Sequence, residues 1–214
     1  MLHDRLGRFG GGGIIVSALA YHLGRGLYLN VTNRCTNACS FCIRNGHDTV
    51  GDSDVLWLTS EPTVDELWNA LLEELLPETE EIVFCGYGEP LMRYDVVLDL
   101  CRRIRAHCSL PIRINTNGHG DLIAGQPLAP LFSGLVDVIS ISLNAPNAKR
   151  YDEICAPVYH DAYAAVLAFA VSCKKTVPTV CFSVVDQPLT QDEIAACRAV
   201  ADNLGIPLRV RTFE

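Results

Sequence analysis

The stretch GLYLNVTNRCTNACSFC, residues 26–42, joins a short apolar run to three cysteines held within eight residues, with no fourth cysteine in the next forty. GLYLNVT has the composition of a buried strand. The cysteines therefore follow at a strand's carboxyl end, which is where α/β folds place their chemistry. Further along, five similar runs recur: EIVFCG (81–86), PIRINTN (111–117), VDVISISLN (136–144), TVCFSVVD (179–186) and PLRVRTF (207–213). Helical patterns separate them. Thr63 and Glu66 form a capping box opening a helix that carries Leu67, Leu71, Leu72, Leu75 and Leu76 on one face and stops at Pro77. Thr190 and Glu193 repeat the device ahead of Ile194, Cys197, Ala201 and Leu204, and Gly205 ends that helix. Val97, Cys101, Ile104 and Cys108 mark the buried stripe of another helix, and 161–174 is apolar on most sides.

Strands alternating with helices predict βα units and a parallel sheet. Six strands are two short of a closed eight-stranded barrel. The expected fold class is α/β, a partial (βα)6 TIM-like barrel, with a flavodoxin-like open sheet as the alternative. Residues 1–25 read as an N-terminal leader, with GRFGGGG in its first part and a hairpin from Ile14 to Tyr28 turning at Gly24-Arg25-Gly26. Residues 26–214 form one core domain.

Composition narrows the function classes. Apolar residues make up 49% and charged residues 20% of 214, the proportions of a globular chain able to bury a core. A formal charge of −8 disfavours non-specific nucleic-acid binding. No apolar run reaches the roughly 20 residues of a membrane span, and no signal-peptide layout is present. The expectation is a cytoplasmic protein. Ten cysteines without a secretory signal point to metal ligation rather than disulfides, and the sequon at Asn30 carries no weight there.

Soft thiolates select zinc, copper(I) or iron–sulfur clusters. Three cysteines in a tight loop can hold three irons of a [4Fe–4S] cube and leave the fourth open. The same residues also read as three structural cysteines, or as a zinc site completed by a distant histidine such as His47. Gly86-Tyr87-Gly88-Glu89-Pro90 follows the next strand; glycines there let the backbone approach a ligand closely, and a carboxylate at a strand end can accept hydrogen bonds from an ammonium group. Ser140, Ser142 and Asn144 alternate with Ile139, Ile141 and Leu143, and Arg113, Asn115 and Asn117 alternate likewise, so each strand has one polar face. Helices cover the outside of parallel barrels, which turns the polar faces toward the lumen. The other seven cysteines, Cys85, Cys101, Cys108, Cys155, Cys173, Cys181 and Cys197, read as small packing residues.

Cys35, Cys39 and Cys42, spaced CxxxCxxC with Phe41 before the third, resemble the signature of the radical SAM superfamily. The resemblance covers nearly the whole chain from about Gly26. In that family the three cysteines hold a [4Fe–4S] cluster whose open iron chelates S-adenosylmethionine. One electron then cleaves the C5′–S bond, and the resulting 5′-deoxyadenosyl radical abstracts hydrogen from a substrate. GYGEP is similar to the family's GGEP-type motif, departing at Tyr87. The resemblance implies that Gly86, Tyr87, Gly88, Glu89 and Pro90 border the cofactor's amino group. It also implies that Asn115, Ser142 and Asn144 contact its ribose or carboxylate, and that Val185 borders adenine. Within the family, NVTNRCTNACSFCIRNG resembles the small proteins named for genomic association with TatD-type nucleases, which implies a functional link to such a nuclease. A flavodoxin- or ferredoxin-type reductant is implied as well. Glycyl-radical-enzyme activases and 7-carboxy-7-deazaguanine synthase share a minimal barrel of this size and stand as alternatives. An iron–sulfur electron carrier is the alternative from another class, and it would need no cofactor-shaped lumen. Arg44, Asn45, His47 and Asp48 open a long loop reaching Trp57 that covers the site, binds substrate or is a plain solvated connection. Arg209 and Arg211 meet an anionic group or pair with acids at the rim.

Overall fold

The computed structural model describes residues 17–212, so the glycine-rich leader lies outside the described residues. Seven strands form one sheet: β1 Ala20–Leu23, β2 Gly26–Leu29, β3 Glu81–Phe84, β4 Ile112–Thr116, β5 Val138–Ser142, β6 Thr179–Val185 and β7 Leu208–Arg211. Their spatial order is their chain order. The first pair is antiparallel and the other five pairs are parallel. A flavodoxin-like sheet reverses direction at a switch point, and this one does not. Every right-handed crossover therefore steps the same way and leaves its helix on the same face. The result is the partial barrel expected from the sequence, an unclosed sheet in which β1 and β7 each pair on one side only.

The hairpin is shorter than the sequence suggested. β1 enters the sheet beside β2 with Leu23 opposite Gly26, leaving a two-residue turn of Gly24 and Arg25. Gly24 has φ +58 and Arg25 does not have positive φ, the arrangement in which glycine leads such a turn.

The helices are α1 Val64–Glu74, α2 Tyr94–His107, α3 Gly120–Ala124, α4 Ala148–Cys155, α5 Ala162–Cys173 and α6 Gln191–Asn203. Both expected capping boxes form, at Thr63–Glu66 and Thr190–Glu193. In α1 the leucine face is narrower than expected. Leu67 and Leu71 are fully buried, whereas Leu72 and Leu76 are 39% and 44% exposed. The helix also ends earlier than the expected stop at Pro77: Glu74 is its last residue and Leu75 its extended C-cap, so Leu76 lies beyond it and Leu72 is the leucine that the helix itself leaves exposed. Each fully buried leucine contributes on the order of 1.5–3 kcal/mol, so two of them suffice to dock the helix. The sequence reading did not place α4. Asn147 caps it by accepting from the Arg150 amide, and Tyr151, Ile154 and Cys155 give it a buried stripe.

Register separates the two faces of the sheet. Leu27, Ile82, Phe84, Ile112, Ile114, Ile139, Ile141, Phe182 and Val184 are buried beneath the helices. The opposite, inner face is polar: Asn115 lies beside Ser140, Ser142 beside Ser183, Ser183 beside Arg209, and Val185 beside Arg211. Cys101, Cys155, Cys173 and Cys197 are buried as packing residues, and Cys108 is half-buried where α2 ends. Cys85 and Cys181 correct that reading in part. Both are half-buried, and strand alternation turns them to the inner face. No helix among the described residues is long and apolar enough to cross a membrane.

Candidate active site

Cys35, Cys39 and Cys42 lie in the loop after β2, all half-buried. The loop is tied to the end of α4. Ala38 N donates to Cys155 O at 2.9 Å and Ser40 N to Ile154 O at 2.9 Å. Thiolate-directed donors are present: Asn37 N lies 3.4 Å and Asn117 Nδ2 3.8 Å from Cys35 Sγ. Burial, then the nearby Glu89 charge, pushes the Cys35 thiol up to about 12. A hydrogen bond with the buried Cys155 thiol, then burial, raises Cys39, and burial raises Cys42. Among the described residues no three His, Cys, Asp or Glu side chains are gathered about one point. The three thiols sit in one eight-residue loop, and Cys39 turns toward Cys155. As a donor set, three soft ligands fit an iron–sulfur cluster with an open position. Ligation replaces the protons that burial holds on them.

The glycines of GYGEP do not face an open cleft. A Cβ on Gly88 would overlap the Thr32 carbonyl oxygen and stand 2.6 Å from that of Arg34. A Cβ on Gly86 would overlap the Asn30 amide, whose Nδ2 is fixed to Leu56 O at 2.7 Å and to Ala18 O. The glycines therefore let the end of β3 press against the backbone that leads into the cysteines, and Glu89 N donates to Arg34 O at 2.8 Å. Asn30 is itself fully buried.

Glu89 is 3% exposed. Its Oε1 accepts from Leu91 N at 3.0 Å and Thr116 Oγ1 at 2.7 Å, and its Oε2 from Asn117 N at 2.6 Å. Burial raises its carboxyl to about 7 despite those three donors. A carboxylate has about four lone-pair sites, so one acceptor direction remains, on Oε2. Pro90 is buried and begins the single turn that Glu89 caps.

Tyr87, the departure from the family motif, has a definite partner. Its hydroxyl donates to His47 O at 2.5 Å, and its ring meets Trp57 edge-on at 5.2 Å between centroids. With Tyr21, Leu56 and Ala18 it forms a second apolar cluster against Tyr28. The long loop after the third cysteine thus folds over the β1–β2 end of the inner face. Arg44 anchors it by donating to Asn33 O at 3.1 Å, while Asn45, His47 and Asp48 are exposed.

The strand-end residues behave differently from one another. Asn115 is half-buried, and its Oδ1 is buried without a partner. Asn144 adopts φ +58, donates to Cys155 Sγ at 3.6 Å and likewise leaves a buried Oδ1 unpartnered. Unpaired buried carbonyls are costly, so they point to a ligand. Ser142 and Val185 are half-buried on the inner face.

A buried network lies behind the cysteine loop, and sequence reading missed it. Asn117 Nδ2 donates to Thr36 Oγ1 at 2.8 Å, Thr36 meets His119 Nδ1 at 2.9 Å, and His119 Nε2 meets Tyr151 OH at 3.2 Å. Asn37 Nδ2 closes the run on Tyr151 OH at 3.0 Å. Burial lowers His119 to about 4, so its ring is neutral. The available signal was local: Thr36 and Asn37 lie between the cysteines, and His119 follows TNG.

Taken together, a thiol loop at the end of β2, a glycine-built turn at the end of β3 and polar strand ends on an unclosed barrel gather at one end of an α/β fold. The sequence model of the Radical SAM superfamily matches residues 29–198, and the chain belongs to that superfamily. It is 30% identical over 128 residues to the AdoMet-dependent heme synthase of Oleidesulfovibrio alaskensis, covering 58% of this chain and 29% of that one. It is 26% identical over 130 residues to the probable GTP 3′,8-cyclase of Methanocaldococcus jannaschii, covering 61% and 40%. The chain thus spans between 29% and 40% of these relatives' length. Its fold is similar to Streptococcus suis SuiB bound to S-adenosylmethionine, with TM-score 0.60 and 16% identity over 87% of this chain and 38% of that one.

Proposed function

We propose that this enzyme binds a [4Fe–4S] cluster through Cys35, Cys39 and Cys42 and S-adenosylmethionine beside it. The observation that carries the reading is the three-thiol loop at the carboxyl end of β2, next to inner-face strand ends with unpartnered buried carbonyls. The chemistry such a cluster supplies when bound is reductive cleavage of S-adenosylmethionine to a 5′-deoxyadenosyl radical, which takes hydrogen from a substrate. The protein's own part is positional. Asn37 N and Asn117 Nδ2 direct donors at Cys35 Sγ and stabilise it as a thiolate. The free acceptor direction on Glu89 Oε2 and the backbone of Gly86–Pro90 suit an ammonium group. Asn115, Ser142 and Asn144 offer hydrogen bonds to hydroxyl or carboxylate groups, and Val185 gives an apolar edge. The loop folded on Tyr87 excludes water from one side of the inner face. An electron carrier would have no use for these strand ends.

In this reading the electron donor is a flavodoxin- or ferredoxin-type protein, the setting is cytoplasmic, and the chain falls with the TatD-associated subgroup, which links its role to a TatD-type nuclease. The test is anaerobic reconstitution with iron and sulfide, then dithionite and S-adenosylmethionine, with 5′-deoxyadenosine as the product measured. Replacing any one of Cys35, Cys39 and Cys42 with Ala abolishes it; full cleavage in any of the three variants refutes the assignment.

A further inference from the structure

The inner face carries more positive charge than the mechanism above uses. Arg113 on β4 and Arg209 and Arg211 on β7 all point to it by strand alternation. Among the described strand residues of that face, only Glu81 is acidic, and it is already paired with Arg113 at 2.7 Å. Neither Arg209 nor Arg211 has an ion-pair partner among the described residues. Three guanidinium groups face one carboxylate in a chain whose formal charge is −8. A local reversal of sign against an acidic background focuses potential on the cleft that holds it.

Arg113 Nε is buried on this face without a partner. It is a donor, so an oxyanion would satisfy it. Arg209 and Arg211 are exposed on the edge strand, and Arg211 lies near enough to Arg113, Arg209, Cys85 and Tyr28 to feel their charges. Its register opposite Val185 puts it on the inner face of the sheet. Ser183, level with Arg209, is 2% exposed and adds a hydroxyl at the same height.

We propose that Arg209 and Arg211, backed by Arg113, form an oxyanion subsite of the lumen, and that the substrate carries a dianionic phosphate or dicarboxylate group. The inference rests on the reading of the lumen as the reaction chamber, and it assigns the substrate's chemical class. Planar guanidinium forks match both oxyanions bidentately, and two side chains on alternate residues of one strand straddle a single such group.

The experiment uses the cluster-free full chain, so its outcome does not depend on cofactor cleavage. Titration calorimetry with inorganic phosphate and, separately, malonate is run on the wild type, on R209Q/R211Q, and on R102Q as an exposed helix control. Binding of one oxyanion per chain is expected, weakening as sodium chloride is raised. The double glutamine variant is expected to lose at least about tenfold in affinity, the scale for removing charge-assisted contacts, while R102Q matches the wild type. R209K/R211K keeps the charge without the fork and is expected to bind between the two. Tighter phosphate binding assigns a phosphorylated substrate, and tighter malonate binding a dicarboxylate. Equal affinity in the wild type and R209Q/R211Q, or no saturable binding of either ion, overturns the subsite. Displacement of phosphate by S-adenosylmethionine in simple competition also overturns it, because the arginines would then belong to the cofactor.

Discussion

Glu89 and His119 belong to one buried network, and burial shifts them in ways that tilt stability in opposite directions. The Glu89 carboxyl rises from its ordinary 4.5 to about 7. Between those values the folded protein binds a proton that the unfolded chain has released, so raising pH favours unfolding. The rate is about 1.4 kcal/mol per pH unit over about 2.5 units, close to 3 kcal/mol in all. His119 falls from 6.5 to about 4. There the unfolded chain binds the extra proton, so stability is lost as pH falls from 6.5 toward 4, again by about 3 kcal/mol. Over pH 4.5–6.5 the two ramps cancel in the wild type, and single substitutions expose them. In cluster-free protein, E89Q is expected to gain about 3 kcal/mol relative to wild type as pH rises from 4.5 to 7. H119Q is expected to lose about the same relative to wild type between pH 4 and 6.5. Urea midpoints at four pH values, at constant m, measure both difference curves. Two flat curves would refute the argument that burial sets these protonation states.

Gly88→Ala should cost about 2–4 kcal/mol, since the added methyl overlaps the Thr32 carbonyl and breaks the Glu89 N to Arg34 O bond. For a chain of this size that is a drop of roughly 5–15 °C in melting temperature, whereas Gly46→Ala, with open space around it, should change it little; equal melting of the two variants would sink the packing argument. Tyr87→Phe removes the hydroxyl bonds to His47 O and Thr49 O, with an expected loss of about 1 kcal/mol and faster limited proteolysis within residues 43–57. Cleavage at the wild-type rate would show that the hydroxyl does not pin the loop.

Much of the fold was legible because its signals are local. Capping boxes at Thr63 and Thr190 depend on residues three apart, and strand polarity on residues two apart, so the expected helix starts and strand faces recur in the structure. The exposed Leu72 and Leu76 show where this stops. Periodicity carries the leucine pattern to position 76, but the helix ends at Glu74, and how much of its apolar sector becomes buried depends on the sheet beneath it. Cys85 and Cys181 share the strand parity of polar inner-face residues, a local signal that the packing reading of the cysteines passed over. At the site, the cysteine triplet stands out in eight residues of sequence, whereas the His119–Tyr151–Asn37 network joins positions as far as 114 residues apart. No spacing rule reaches that far.

Tyr87 and the two glycines around it show that a motif read as a ligand contact also has a structural part that sequence reasoning did not supply. Sequence reasoning gave the glycines to the ligand, since close backbone approach is what glycine permits. In the structure the close neighbour is the chain itself: Asn30 for Gly86, and the Thr32 and Arg34 carbonyls for Gly88. That contact carries Glu89 N onto Arg34 O, and the Glu89 carboxylate then binds Thr116 and Asn117 at the end of β4. Asn117 in turn reaches Thr36 and Cys35. The ends of β2, β3 and β4 are thereby bolted together through one turn, and the loop bearing the cysteines is held at both sides. A side chain at Gly88 would act on the thiols through this frame, before any ligand is present, so stability and cluster loading in the Gly88→Ala protein should fall together.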